Sequence, residues 1–217
     1  MKRFLERRAF RYGTGLVALA LLVCSVWMLS PATRLAARQP RLAEVPGKQQ
    51  GEWVDAHRYD SEWFDAARAG RVDILQALAD AHYPIDTVTS RGFSALILAA
   101  YNDKPEAVAY LLGQGVDACI GDSNGNTALM GALYKGYGDV AQQLMQTHCP
   151  IDQANHAGET ALSFAVLFGR VQALTELVRR GADLHHLDNQ GQTPMALADK
   201  QGNEASAAAL KRLGATH

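Results

Sequence analysis

The chain has 217 residues, a formal net charge of -1 and 48% apolar residues, with 36 Ala and 26 Leu against only 18 Val plus Ile. Leu and Ala favour helices and β-branched residues favour strands, which argues against a large β-sandwich or a Val/Ile-rich parallel sheet. Charged residues at 20% argue against global disorder, and the near-zero net charge argues against a generic electrostatic nucleic-acid binder.

Residues 1–11 carry five basic groups, Lys2, Arg3, Arg7, Arg8 and Arg11, against Glu6 alone. Tyr12 to Thr33 is a run of 22 residues without a charge, 15 of them apolar. As a helix it reaches about 33 Å, enough to cross a bilayer core. Basic residues before such a run place the N-terminus in the cytoplasm and send the rest outward. The same features describe a cleaved secretory signal, with small residues around Ser30-Pro31-Ala32. Anchor and cleaved signal both stay open. Cys24 reads as an apolar filler of this segment. Residues 34–55, with Pro40, Pro46, Gly47 and Gly51, read as a linker. Without residues 1–32 the rest carries 16 Lys+Arg and 21 Asp+Glu, a net charge of -5.

From residue 56 the chain repeats with a period of 33. Gly92, Gly125, Gly158 and Gly191 are followed by Ser94-Ala95-Leu96, Thr127-Ala128-Leu129, Thr160-Ala161-Leu162 and Thr193-Pro194-Met195. A hydroxyl, then a small residue or Pro, then an apolar run predicts a helix start. Ala99, Ala132, Ala165 and Ala198 recur at predicted close helix contacts. Gly136, Gly169 and Gly202 predict breaks between two helices. The second helices carry Val108-Leu111-Leu112, Val140-Leu144-Met145 and Leu174-Leu177-Val178, the spacing of one buried face. Gly115 and Gly181 stop helices as left-handed caps would, and His82 and His148 stand at the matching positions. Asp122-Ser-Asn-Gly125, Asn155-His-Ala-Gly158 and Asp188-Asn-Gln-Gly191 are turn sequences.

These columns resemble the ankyrin repeat, best in Asn126-Thr127-Ala128-Leu129, Gln192-Thr193-Pro194-Met195 and Gly181-Ala182-Asp183. The resemblance implies an all-α repeat solenoid, each unit a helix-turn-helix plus a β-hairpin turn, preceded here by one N-terminal hydrophobic helix. It divides 56–217 into an N-terminal cap repeat at 56–88, full repeats at 89–121, 122–154 and 155–187, and a C-terminal cap repeat at 188–217. Ala95, Ala128 and Ala161 replace the family's Pro, and Ile97, Met130 and Ser163 replace its His.

The resemblance also implies a non-catalytic protein-binding surface on hairpin tips and inner helices. Carried over by position, the partner-binding residues are Arg91, Phe93, Tyr101, Asn102, Asn124, Asn126, Tyr134, Lys135, Glu159, Leu167, Phe168, Gln192, Lys200 and Gln201. Phe93, Tyr101, Tyr134, Leu167 and Phe168 form an apolar stripe if they share one face; otherwise Leu167 and Phe168 pack between helices. No G-x-S-x-G, Walker A, G-x-G-x-x-G or H-E-x-x-H occurs, so no catalytic residue, metal or cofactor is expected. His185-His186 reads as a loop pair rather than a metal site. Cys119 and Cys149 leave a disulfide and two small buried thiols both open. The expected setting is the periplasmic side of a bacterial inner membrane, or the periplasm itself after cleavage. The expected partner is a protein: a toxin blocked by an immunity protein, or an envelope enzyme such as one acting in oxidative stress. A structural tether is the remaining alternative.

Overall fold

A computed structural model describes residues 56–216; the hydrophobic segment at 1–33 and the linker at 34–55 lie outside the described residues. A 3-10 turn at Ala56–Tyr59 leads into ten α-helices among the described residues. They come in pairs: α1 (Asp60–Ala69) with α2 (Val72–Asp80), α3 (Ala95–Tyr101) with α4 (Pro105–Gly113), and α5 (Ala128–Lys135) with α6 (Gly138–Leu144). The last two pairs are α7 (Ala161–Leu167) with α8 (Val171–Arg179) and α9 (Pro194–Lys200) with α10 (Glu204–Arg212). The first helices of successive pairs stack on one another, and so do the second helices, giving an inner and an outer row.

Each inner helix from α3 onward begins where the repeated hydroxyl predicts. The oxygens of Ser94, Thr127, Thr160 and Thr193 accept from the N–H groups of Ile97, Met130, Ser163 and Ala196 at 3.2 to 3.4 Å. Each such cap is worth about 1 kcal/mol, because an orphan donor of the first turn is satisfied. At α7 the Ser163 hydroxyl also accepts from the Thr160 N–H, completing a capping box. Pro194 occupies the first turn of α9, where no helical partner is lost.

The hairpins between repeats are short turns rather than strands. Each closes on a pair of backbone bonds, as from Asp122 N–H to the Asn126 carbonyl (2.9 Å) and from Gly125 N–H to that of Asp122 (2.7 Å). One isolated bridge, Val88 with Ser94, is the only ladder-like pairing among the described residues. Successive hairpins are tied together instead. Ser123, His156 and Asn189 donate their N–H groups to the carbonyls of Arg91, Asn124 and Ala157 at 2.8 to 3.0 Å. That approach needs glycine at the turn, since a Cβ on Gly158 (φ +79) would lie 2.7 Å from the Asn189 nitrogen.

The core lies between the two rows. Ala99, Ala132, Ala165 and Ala198 are fully buried, and so are Leu111, Leu174, Leu177 and Leu210. Leu112 and Val178 are only half-buried, at the edge of the predicted face. In the first repeat Trp63 is fully buried against Tyr83, with ring centroids 5.0 Å apart. The Tyr83 hydroxyl donates to Asp60 Oδ1, and burial beside that carboxylate raises the phenol above its ordinary range.

Gly136 (φ +86) sits in the left-handed region between α5 and α6, and the Arg170 side chain covers it. The Arg170 guanidinium donates to the Leu133 and Tyr134 carbonyls, both at 2.8 Å, and so caps α5 from the next repeat. Gly136→Ala is therefore expected to lower stability by about 1 to 2 kcal/mol, the cost of a left-handed Ala. Gly138→Ala, where no neighbour lies within 4 Å and φ is ordinary, raises it by up to about 1 kcal/mol. Paired denaturant titrations check both signs. Asp103 (φ +55) takes the same left-handed position between α3 and α4. His82 (φ +63) ends the α2 turn as Gly115 and Gly181 end theirs, whereas His148 does not adopt a positive φ.

Cys119 and Cys149 are joined in a disulfide with a Cα separation of 5.4 Å. Both residues are half-buried, so the alternative of two buried thiols is replaced by a covalent link between neighbouring repeats. A further tie between repeats comes from Arg180, which donates to the Met145 carbonyl and to Glu176, both at 2.6 Å. Hydrogen bonds from Arg179 and then Arg180 hold the Glu176 carboxyl down at about 2. A depressed folded-state value means that this stabilisation is complete above the ordinary carboxylate range near 4.5 and is lost as pH falls through about 2. The expected result is a Glu176 carboxyl carbon titrating near 2 by NMR, returning towards 4.5 in Arg179→Ala/Arg180→Ala. An unchanged midpoint in that variant would contradict the pairing.

Candidate functional site

The C-terminal ends of the inner helices bring aromatic side chains to one surface. Tyr101 ends α3 and Tyr134 lies near the end of α5, one period apart, and their rings stack with centroids 5.8 Å apart at 13°. Phe168 caps α7 and meets Tyr134 edge-on at 4.7 Å. Phe164, one turn back, lies 5.8 Å from Phe168. The three outer rings remain exposed, at 39% for Tyr101, 42% for Tyr134 and 36% for Phe168. Lys135 places its Nζ 4.9 Å from the centre of the Tyr101 ring, within cation–π range. Partial burial, then the neighbouring Tyr134 phenol, raises the Tyr101 pKa.

The ladder forms a wall of a groove of about 630 Å³ between the hairpin turns and the inner helices. Seven of the fourteen residues expected from sequence line it: Arg91, Phe93, Tyr101, Asn102, Asn126, Tyr134 and Phe168. Lys135 sits beside it over Tyr101. Leu167 is half-buried and packs on the core, so the residue after it, Phe168, continues the ladder. Asn124 is exposed at a hairpin tip, where its carbonyl receives the next repeat. Glu159 accepts from the Asn155 amide at 3.0 Å. Gln192 donates to Asp188 and accepts from Lys200 Nζ at 2.9 Å, a link of its own in the last repeat. Gln201 is exposed at the end of α9.

Other groove residues were not anticipated, among them Arg68, Ile97, Leu98, Asp122, Gly131 and Phe164. Arg68 had a readable signal, since it lies one period before Tyr101. Asp122 is held by its turn, its Oδ1 accepting from the Asn124 and Asn126 N–H groups at 2.8 and 2.9 Å. Among the described residues one group has metal-ligand proximity, Asp117 with Cys119 and Cys149, but both sulfurs are used in the disulfide. His186 Nε2 lies 3.0 Å from the Gly158 carbonyl while His185 is exposed, so the adjacent pair serves two different surroundings.

Residues 63–155 match the family described as ankyrin repeats in three copies, and residues 157–189 match a further ankyrin repeat. An ankyrin repeat and KH domain-containing protein of Caenorhabditis elegans is 31% identical over 129 residues, 57% of this chain and 5% of the relative. An ankyrin repeat and SAM domain-containing protein of Mus musculus is 39% identical over 64 residues, 29% of this chain and 7% of the relative. A palmitoyltransferase of Lachancea kluyveri is 28% identical over 123 residues, 54% of this chain and 17% of the relative. The chain thus spans less than a fifth of the length of these curated relatives, and the similarity is one of repeats.

Proposed function

The chain belongs to the ankyrin repeat family, a generally non-catalytic family of protein-interaction modules, and on that premise we propose that it binds a partner protein in the bacterial envelope through the aromatic groove. The observation that carries this reading is the exposed ladder of Tyr101, Tyr134 and Phe168. Three aromatic rings on one surface are a costly arrangement in water and the kind of patch that anchors a partner. A structural tether has no need of it.

The envelope setting rests on two further features. A basic start followed by 22 uncharged residues is the sequence of an anchor or export signal, which leaves the repeats outside the cytoplasm. The Cys119–Cys149 bridge supports the same side, because disulfides persist in oxidising compartments. Whether the segment anchors the protein or is removed, the repeats face the same space.

The test is photo-crosslinking in the native envelope, with a photoreactive residue in place of Tyr134 and, separately, of Ala109, exposed on outer helix α4. The expected result is one specific adduct from position 134 and none from 109, with mass spectrometry identifying the partner. Equal adducts from both positions, or none from either, would sink the proposal.

A further inference from the structure

We propose that the groove takes one large apolar side chain from an acidic segment of the partner protein, the apolar group entering a notch over Gly131 and the flanking carboxylates meeting Arg91 and Arg68. This inference rests on the groove being the partner-binding face.

The notch follows from a missing side chain. One column of the inner helices reads Leu98, Gly131, Phe164 and Leu197 at intervals of 33. Three of these are bulky and buried, at 7%, 9% and 4% exposure. In α5 the same place carries no side chain, and the buried Gly131 lines the groove beside the Tyr101 ring. A Cβ on Gly131 would meet only the Tyr101 ring, at an ordinary 3.5 Å. Glycine inside a helix costs about 1 kcal/mol relative to Ala. Backbone conformation does not require it here, since φ is not positive, and its contact is the Tyr101 ring rather than backbone. What the glycine does is interrupt an otherwise continuous apolar row between Leu98 and Phe164, at the floor of the groove.

The charges around the notch select what enters. Over residues 56–216 there are 12 Lys+Arg and 18 Asp+Glu, a net charge of -6. The groove reverses that sign, with Arg68 and Arg91 lining it and Lys135 at its edge, against Asp122 alone. The Asp122 carboxylate is already committed to three hydrogen bonds with Asn124 and Asn126. Arg91 has no hydrogen-bond or ion-pair partner for its guanidinium among the described residues, whereas Arg68 holds Asp65. An acidic segment is repelled by the net charge of the described residues and attracted by Arg91 at the groove, so charge sets register as well as attraction. The planar Arg fork suits a carboxylate beside aromatic rings. Nucleic acid is disfavoured by the same net charge.

The experiment selects a phage-displayed library of random dodecapeptides against the full chain in detergent micelles. The expected peptides carry an aromatic residue or Leu flanked by Asp or Glu. A synthetic copy of the most enriched peptide loses at least about tenfold in affinity for Gly131→Leu and for Arg91→Glu, as a hot-spot contact should. Gly131→Ala, whose Cβ makes only an ordinary 3.5 Å contact with the Tyr101 ring, keeps or raises the melting temperature and weakens the same peptide, so the loss of binding is not a loss of fold. Peptides without acidic bias, or with undiminished affinity for Gly131→Leu, overturn the inference. If those peptides still fail to bind Tyr101→Ala/Tyr134→Ala, the groove remains the binding face. If they bind that variant equally well, both readings fall.

Discussion

Leu177→Ala lowers the stability of the repeat domain by about 3 to 5 kcal/mol, the upper range for a fully buried leucine whose cavity cannot collapse. Leu177 is 0% exposed in α8, and α8 packs on inner helix α7 and on both neighbouring outer helices, α6 and α10. A repeat array is stabilised by its units and by the interfaces between neighbours. Loss of the α8 contacts therefore also loosens the last repeat, whose helices α9 and α10 pack on α7 and α8. The loss should appear as a new, low-denaturant transition, with early proteolytic cuts beyond residue 180. A single transition shifted as a whole would mean that the repeats unfold as one unit.

Removing the Cys119–Cys149 bridge costs about 3 to 4 kcal/mol. The bonded residues are 30 apart, and closing a loop of that size restrains the unfolded chain by about this amount. The bridge also joins the end of one repeat to the end of the next, so reduction weakens the 89–121 and 122–154 units together. The denaturant midpoint of the native chain should fall on adding reductant, while that of Cys119→Ser/Cys149→Ser should be low and insensitive to it. Free thiols at both Cys119 and Cys149 in the unreduced chain would refute the bridge.

The repeat was legible because each of its columns performs a local task. The hydroxyl of Thr160 caps a helix, Ala165 lets two helices touch and Leu177 fills the core, whichever repeat stands beside them. The groove was legible only in part, because it depends on where side chains point. Register alone pairs Tyr134 with Leu167, yet α7 ends at Leu167 and the next residue, Phe168, turns outward to meet Tyr134. A shift of one residue at a helix end changed the ladder. Arg68 could have been found by stepping one period back from Tyr101. The notch at Gly131 could not, since a lone glycine among Leu98, Phe164 and Leu197 is informative only once those side chains are seen to be buried. The disulfide stayed open for a similar reason. Cys119 and Cys149 occupy different columns, and a period of 33 does not say that their Cα atoms lie 5.4 Å apart.

The aromatic groove as the binding face is the central claim, and one paired measurement on Tyr101→Ala/Tyr134→Ala tests it most directly. Both rings are about 40% exposed, so little core is lost by their removal. The variant is expected to melt within a few degrees of the native chain and no longer to capture the crosslinked partner from envelope extracts. Partner capture that persists while the melting temperature drops would show the ladder to be structural and would contradict the account.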